Sequence, residues 1–169
     1  IEECRANELL SGIDFEAMDM LNLADESRFD IIIANAVTYL FEEDQYKRAI
    51  LGVQKALRPG GCFLSFEWVH PYRQDIKIIE KSDSHPDGLP IHSRSLQTVN
   101  RIMSECGFDS VEVAPFEIPI DLGEENKTTS ADDFESLNTR TVKTDSGNRL
   151  LFRGSLYQPW CHVSAKKAA

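Results

Sequence analysis

Two strongly apolar runs, separated by one amphipathic segment, limit the folds that are open to this chain. The first run covers residues 29–40 and includes isoleucine at each of positions 31–33, and the second covers residues 56–67. Continuous apolar runs are typical of parallel strands that are buried on both faces. Residues 42–57 carry apolar side chains at helical spacing, which predicts a crossover helix. The order strand, helix, strand predicts an open α/β sheet, in which ligands bind at the carboxyl ends of the strands.

Turn residues and periodicity set the limits of the other predicted elements. Pro59-Gly60-Gly61 ends the crossover helix, because proline cannot continue a helix and glycine allows the positive φ of a tight turn. The remaining elements follow from alternating or helical apolar patterns. We predict the end of a helix over residues 1–12, strands over Ile13–Met18, Phe29–Val37, Cys62–Glu67 and Val111–Ile120, a helix over Ser93–Cys106, and a final strand or bent strand pair over Arg149–Lys167.

A single domain over residues 1–169 suits the length of the chain and its 41% hydrophobic content. Residues 68–92 are rich in proline and turn residues, which predicts an irregular lid or insertion at the carboxyl edge of the sheet. Residues 121–148 begin with an acidic stretch that lacks an apolar period, and we expect a mobile acidic loop there.

The charge and composition favour a small-molecule ligand in a soluble, cytoplasmic protein. A formal net charge of -10 opposes nucleic-acid binding, which depends on clustered Lys and Arg. Nothing in the sequence approaches the roughly 20 apolar residues of a membrane-spanning helix, so no membrane partner is expected. The 4 cysteines are scattered without a Cys-x-x-Cys pair, which favours reduced thiols.

Three short motifs together resemble the second half of a class I S-adenosylmethionine-dependent methyltransferase. They are Met18-Asp19-Met20, the strand that begins Phe29-Asp-Ile-Ile-Ile, and Pro59-Gly60-Gly61. The resemblance covers most of residues 1–120 and implies a Rossmann-like, three-layer α/β sandwich, with a mostly parallel sheet and an antiparallel C-terminal strand. The family's glycine-rich loop has no counterpart, since no Gly-x-Gly occurs in the chain. We therefore expect the family's N-terminal strands to lie upstream of Ile1.

The resemblance implies S-adenosylmethionine as the cofactor and assigns four residues to its site. Asp19 would accept a hydrogen bond from the adenine amino group, and Met20 would give an apolar contact to the ring. Asn35 and Ala36 would pass close to the methionine part of the cofactor, an approach that small residues permit. From the residues alone, Asp19 fits a helix or turn cap equally well, and Asn35 fits a side chain bonded to its own loop.

His70 is the candidate catalytic residue, because it follows the strand that ends at Glu67, on the side where an acceptor is expected. Methyl transfer to a hydroxyl needs a base, and histidine titrates in the right range. A structural or surface histidine before Pro71 is the commoner outcome for such a position. The spacing of Asp83, His85, Asp87 and His92 matches no rigid ligand pattern, so these residues predict a solvated loop and no metal site.

These observations predict an enzyme that transfers a methyl group from S-adenosylmethionine to an oxygen or nitrogen of a small-molecule acceptor. The alternative is a catalytically silent methyltransferase-like module that binds or scaffolds a partner. Another nucleotide-binding α/β enzyme is a third interpretation, since fold alone does not fix chemistry. A homodimer is compatible with each of them.

Overall fold

Nine strands and three α-helices make up the part of the chain that the computed structural model describes, which is residues 1–120, 139–153 and 159–169. The helices are α1 (Glu2–Ala6), α2 (Glu43–Ala56) and α3 (Leu96–Glu105). The strands are β1 (Phe29–Asn35), β2 (Leu57–His70), β3 (Ile76–Ser82), β4 (His85–Ser95), β5 (Phe108–Pro115), β6 (Glu117–Ile118), β7 (Thr139–Lys143), β8 (Arg149–Arg153) and β9 (Trp160–Lys167). Short 3-10 turns span Glu8–Leu10, Met20–Asn22 and Thr38–Leu40.

Strand β2 is the centre of a six-stranded sheet. One edge of β2 pairs in parallel first with β1 and then, at Val69 and His70, with β4. Its other edge pairs antiparallel with β9, which in turn pairs with β5. Strands β1, β2, β4 and β5 therefore run in one direction, and β3 and β9 run in the opposite one. The predicted α/β fold, with a mainly parallel sheet and an antiparallel C-terminal strand, is confirmed.

Helices α2 and α3 cover one face of this sheet and form the main core with it. The core side chains come from both helices and from the inward faces of β2 and β9, and include Tyr46, Ile50, Val53, Phe63, Val99, Ile102, Met103, Val163 and Ala165. On the opposite face, Ile31 and Ile33 of β1 are 59% and 68% exposed. The described residues thus supply the sheet and one helical layer of the expected three-layer sandwich.

The crossover helix and the helix before β5 form where local pattern predicts them. In α2, the Glu42 N–H donates to the Gln45 side chain at 3.0 Å, which satisfies a free donor at the start of the helix. Ser95 caps α3 by accepting from the Thr98 N–H at 3.1 Å. Gly107, at φ +87°, ends α3 in the left-handed conformation that glycine tolerates.

The predicted strand over Ile13–Met18 is wrong. Residues 13–19 form neither helix nor strand, and Ile13 and Met18 are 56% and 51% exposed. A strand exists only where a neighbour shares its backbone hydrogen bonds. Among the described residues, β1 pairs only with β2, and no strand lies along its other edge. The alternating pattern of Ile13–Met18 therefore has no ladder to join.

Strand limits differ from the predictions where a pairing partner extends the ladder. Strand β2 runs from Leu57 to His70 rather than over Cys62–Glu67, because β1, β4 and β9 all pair with it. Strand β1 ends at Asn35, and β5 starts at Phe108 and ends at Pro115, before the short strand β6. The final part of the chain contains the two strands β8 and β9, but they do not pair with each other: β8 joins β6 and β7 in a separate three-stranded sheet, and β9 pairs with β2 and β5.

Residues 68–92 do not form an irregular lid. Trp68–His70 belong to β2, and β3 and β4 form an antiparallel hairpin in which Ile78 pairs with Ile91. Pro86 and Pro90 lie in β4, where Pro90 pairs with Ile79 of β3, and Pro71 lies in the bend between β2 and β3. Of the predicted acidic loop 121–148, residues 121–138 lie outside the described residues, and β7 and a turn occupy residues 139–148.

Side chains at the start of α2 attach the β3–β4 hairpin to the helix. Glu42 pairs with Lys77 of β3, and its Oε2 lies 3.6 Å from His92 Nε2 of β4. Burial lowers the pKa of His92 below its ordinary value, although Glu42 acts in the opposite direction. The hydrogen bond from Lys77 lowers the pKa of Glu42. Of the two histidines for which the sequence predicted no metal site, His85 lies exposed at the hairpin turn and His92 lies against the start of α2.

Strand β9 is fastened to the end of α2 by a lysine. The Lys167 ammonium donates to the carbonyl oxygens of Gln54 at 2.8 Å and Leu57 at 2.7 Å. The last carbonyls of a helix have no partner within the helix and carry the negative end of its dipole. Lys167 therefore stabilises the end of α2 and also holds β9 against the start of β2.

We predict that Lys167→Met lowers the free energy of unfolding by about 2 kcal/mol, since a hydrogen bond to a charged group contributes about that much. Urea unfolding followed by far-ultraviolet circular dichroism measures the change. Lys166→Met is the matched control, because the neighbouring Lys166 side chain is exposed on the same strand. Equal stability of the two variants would contradict the role of Lys167.

Candidate functional site

The carboxyl ends of β1 and β2 meet at one edge of the sheet. Asn35 is the last residue of β1 and is exposed. Ala36 follows it with φ 55°, and its N–H donates to the Phe66 carbonyl oxygen at 3.0 Å. A non-glycine residue in this left-handed region costs about 1–3 kcal/mol, and residues of this kind cluster at functional sites. The backbone thus leaves β1 at Ala36, beside Phe66 and four residues before β2 ends at His70.

Asp19 caps the 3-10 turn Met20–Asn22. Its Oδ1 accepts from the Leu21 N–H at 2.9 Å, and its Oδ2 accepts from the Asn22 side-chain amide. Asp19 is exposed, whereas the Met20 side chain packs against the core beneath α2. No hydrogen bond among the described residues joins Asp19 or Met20 to the Asn35–Ala36 backbone. The capping alternative for Asp19 is therefore present, and its carboxylate keeps lone pairs for a further donor.

His70 ends β2 as a buried residue, 1% exposed. Its Nε2 lies 3.2 Å from the Ser93 carbonyl oxygen. Because a carbonyl oxygen can only accept, Nε2 must carry the proton of this hydrogen bond, and in the neutral ring Nδ1 is then the proton acceptor. Nδ1 has no hydrogen-bond partner among the described residues. The Tyr72 ring lies beside it, with centroids 5.4 Å apart.

Two more buried polar atoms beside His70 have no hydrogen-bond partner in the described part of the chain. They are Trp68 Nε1, on the same face of β2, and Ser93 Oγ, on the strand that holds the histidine. Buried polar atoms are normally paired, and unpaired ones in a native fold call for an explanation such as a bound ligand or water. Together with His70 Nδ1 they mark the carboxyl end of β2 as a place that can receive a polar group.

Four aromatic rings pack together at this edge, and we call them the aromatic cluster: Tyr39, Phe66, Trp68 and Trp160. Phe66 and Trp160 stack at 4.7 Å with an interplanar angle of 7°, and Tyr39 lies 4.5 Å from Trp68. Tyr39 belongs to the loop after β1, so the cluster joins that loop to β2 and β9.

A buried charged pair lies on the opposite, helix-covered face of β2. Glu67 is 0% exposed and Arg94 of β4 is 2% exposed, with Arg94 Nη1 3.7 Å from Glu67 Oε2. Glu67 is the last residue of the predicted strand Cys62–Glu67, and Arg94 was not among the candidate residues. The signal was present, since a carboxylate within the apolar run Phe66–Val69 must find a partner when it is buried.

Two titratable groups near Glu67, the Tyr46 hydroxyl and the Cys161 thiol, are held in their neutral forms. Burial raises the pKa of the Tyr46 hydroxyl well above its ordinary value, and the charge of Glu67 raises it further. The Tyr46 hydroxyl therefore stays protonated and donates a hydrogen bond to Glu67 Oε1 at 3.3 Å. Burial also raises the pKa of the Cys161 thiol to about 11. A thiol of this kind is a poor nucleophile at neutral pH, so Cys161 offers no covalent chemistry beside the site.

The described residues contain no group of three or more side chains suited to hold a metal ion. None of the helices described is both long enough and apolar enough to cross a membrane.

Solved structures resemble this chain in fold, although no protein-family model and no curated protein matches its sequence. A SAM-dependent methyltransferase from Methanosarcina mazei aligns over 99% of this chain and 76% of its own, at 13% identity and a TM-score of 0.57. The [4+2]-cyclase SpnF aligns over 99% of this chain and 61% of its own, at 17% identity and a TM-score of 0.55.

A third match carries a ligand relevant to the site. It is the 1,6-didemethyltoxoflavin-N1-methyltransferase of Burkholderia thailandensis, solved with 1,6-didemethyltoxoflavin and S-adenosylhomocysteine bound. This match covers 92% of the present chain and 51% of that enzyme, at 13% identity and a TM-score of 0.53. The chain spans about half the length of two of the structures that it matches. At these identities the likeness concerns the fold, and the fold of this chain is that of the class I S-adenosylmethionine-dependent methyltransferases.

Proposed function

We propose that this chain binds S-adenosylmethionine at the carboxyl edge of β1 and β2 and transfers a methyl group to an oxygen or nitrogen of a small-molecule acceptor. The observation that carries the proposal is the left-handed Ala36, where the backbone leaves β1 at the edge at which ligands bind in open α/β sheets. Several proteins of the same fold are named as methyltransferases that use this cofactor.

The four residues that the resemblance assigns to the cofactor suit it chemically. Asn35 and Ala36 offer an exposed amide side chain and a small side chain at the end of β1. Asp19 is exposed and can accept from an exocyclic amine while it keeps its two capping hydrogen bonds. Met20 is half-buried, so only part of its side chain is open to an adenine ring.

S-adenosylmethionine would supply an electrophilic methyl group on a positively charged sulfur, and S-adenosylhomocysteine would be the leaving group. The chain supplies orientation, because a methyl transfer proceeds when donor and acceptor are held in line. For a hydroxyl acceptor it also supplies a base. His70 is positioned for that task, since the Ser93 carbonyl holds the proton on Nε2 and leaves Nδ1 to receive the acceptor's proton. An acceptor would reach Nδ1 by displacing the exposed Tyr72.

A silent binding module is the second candidate, and the exposed apolar side chains of β1 favour it. Ile31 and Ile33 present a bare apolar surface beside the candidate site, and exposed apolar patches often mark contacts with another protein segment. A module of this kind needs the fold but neither the cofactor nor His70. Cofactor affinity and turnover of the site variants below distinguish the two functions.

We predict that Asp19→Asn weakens binding of S-adenosylhomocysteine by one to two powers of ten, about 1.5–3 kcal/mol for a lost charge-assisted hydrogen bond. The amide oxygen can still cap Leu21, so the turn is preserved. Isothermal calorimetry on the natural protein, with any residues that flank this chain, gives the affinity. Asp14→Asn is the control, because Asp14 is exposed in the same segment. Equal affinities for the two variants would remove Asp19 from the site.

We predict that His70→Gln lowers kcat by about 10²-fold or more for a hydroxyl acceptor, the range that a positioned base contributes. Affinity for S-adenosylhomocysteine should stay within a few-fold of wild type, which also shows that the buried site still folds. Steady-state kinetics gives kcat, with His85→Gln on the exposed hairpin turn as control. Full turnover by His70→Gln would eliminate the base.

A further inference from the structure

The hydrogen bonds of Arg94 go to the loop that follows β1. Its guanidinium donates to the carbonyl oxygen of Thr38 at 3.2 Å and also to that of Phe41. Thr38 is the first residue of the 3-10 turn Thr38–Leu40, and Phe41 follows its last residue. The face of the guanidinium lies 3.9 Å from the centre of the Tyr46 ring. A planar fork of donors can hold two carbonyls at once, which an ammonium on a flexible stem does less well.

Glu67 holds Arg94 in place from the other side. Its Oε1 accepts from Ser65 Oγ and from the Tyr46 hydroxyl, and its Oε2 faces Arg94 Nη1 at 3.7 Å. Oε2 has no hydrogen-bond donor of its own among the described residues. A buried ion pair seldom adds net stability, because both charges lose their hydration. The Glu67–Arg94 pair is therefore better explained by what it orients than by what it contributes to folding.

The oriented segment is part of the candidate site. The loop begins at Ala36, directly after Asn35, and carries Tyr39 onto the aromatic cluster. Thr38 is fully buried, so the loop cannot shift without disturbing its carbonyl contact with Arg94. The Glu67–Arg94 pair, on the helix-covered face of β2, thus sets the position of the loop after β1, whose Tyr39 side chain lies on the other face.

We propose that Arg94 and Glu67 are a positioning pair, which fixes residues 36–41 and thereby shapes the cofactor and acceptor site without touching either molecule. This inference rests on the proposed function, because it assigns the pair to that same site. It also makes a purely structural claim about the loop. That claim can be tested with no ligand present.

The two tryptophans of the chain, Trp68 and Trp160, both lie in the aromatic cluster and are 4.6 Å apart. Near-ultraviolet circular dichroism and tryptophan emission therefore report directly on the packing of Tyr39 against them. A variant that only loses stability keeps its native spectrum under folding conditions. A variant that releases the loop changes the spectrum while far-ultraviolet circular dichroism stays native.

The test is Arg94→Lys in the natural protein, with Arg101→Lys as the matched control. Arg101 pairs with Glu43 and Glu105 on the surface of α3. Its replacement is therefore the same arginine-to-lysine change at a position that does not contact the loop. We expect Arg94→Lys to lose the native near-ultraviolet signal and to bind S-adenosylhomocysteine about tenfold or more weakly. Arg101→Lys should match wild type in both measurements.

Each result decides a separate point. A native near-ultraviolet spectrum for folded Arg94→Lys overturns the attachment of the loop, and a changed spectrum with wild-type affinity overturns its role at the site. If wild-type protein binds no S-adenosylhomocysteine, the proposed function and the role at its site both fail, and the spectrum alone still decides whether Arg94 holds the loop. If Arg94→Lys does not fold, Glu67→Gln replaces it with the same readouts, because the amide keeps an oxygen for Ser65 and Tyr46.

Discussion

The alternation of side chains along β2 is the constraint on which the rest of the molecule depends. This strand pairs with β1, β4 and β9, so its two faces fix what lies above and below the centre of the sheet. Glu67 and Val69 turn towards the helices, and Phe66, Trp68 and His70 turn towards the other face. One strand therefore carries both the buried charge and the ring groups of the candidate site.

The loop after β1 connects these two faces. Ala36 adopts a conformation that an alanine rarely takes, and such backbone strain persists only where the surroundings hold it in place. The Phe66 carbonyl, the Arg94 guanidinium and the aromatic cluster are the contacts that hold this loop. A binding edge that is rigid before the ligand arrives loses less entropy when it binds.

Local patterns were enough to predict α2, α3 and β1, because apolar spacing and the capping residues act within a few positions of one another. The length of β2 and the hairpin of β3 and β4 depend on pairing between distant segments, which periodicity does not encode. The same reason explains Ile13–Met18, whose alternation is real but lacks a partner strand among the described residues. His70 could be found as a base-capable residue, but its orientation by Ser93 and the pairing of Glu67 with Arg94 required the fold.

Hydrogen exchange, measured by mass spectrometry with and without S-adenosylhomocysteine, tests most directly whether the edge of β1 and β2 is the cofactor site. The natural protein, with any residues that flank this chain, is the sample. We predict that saturating ligand slows exchange of the amides in residues 35–41, while those of β3, on the outer side of the hairpin, keep their rates. Tight binding that leaves residues 35–41 unchanged and protects another region would contradict this placement of the site.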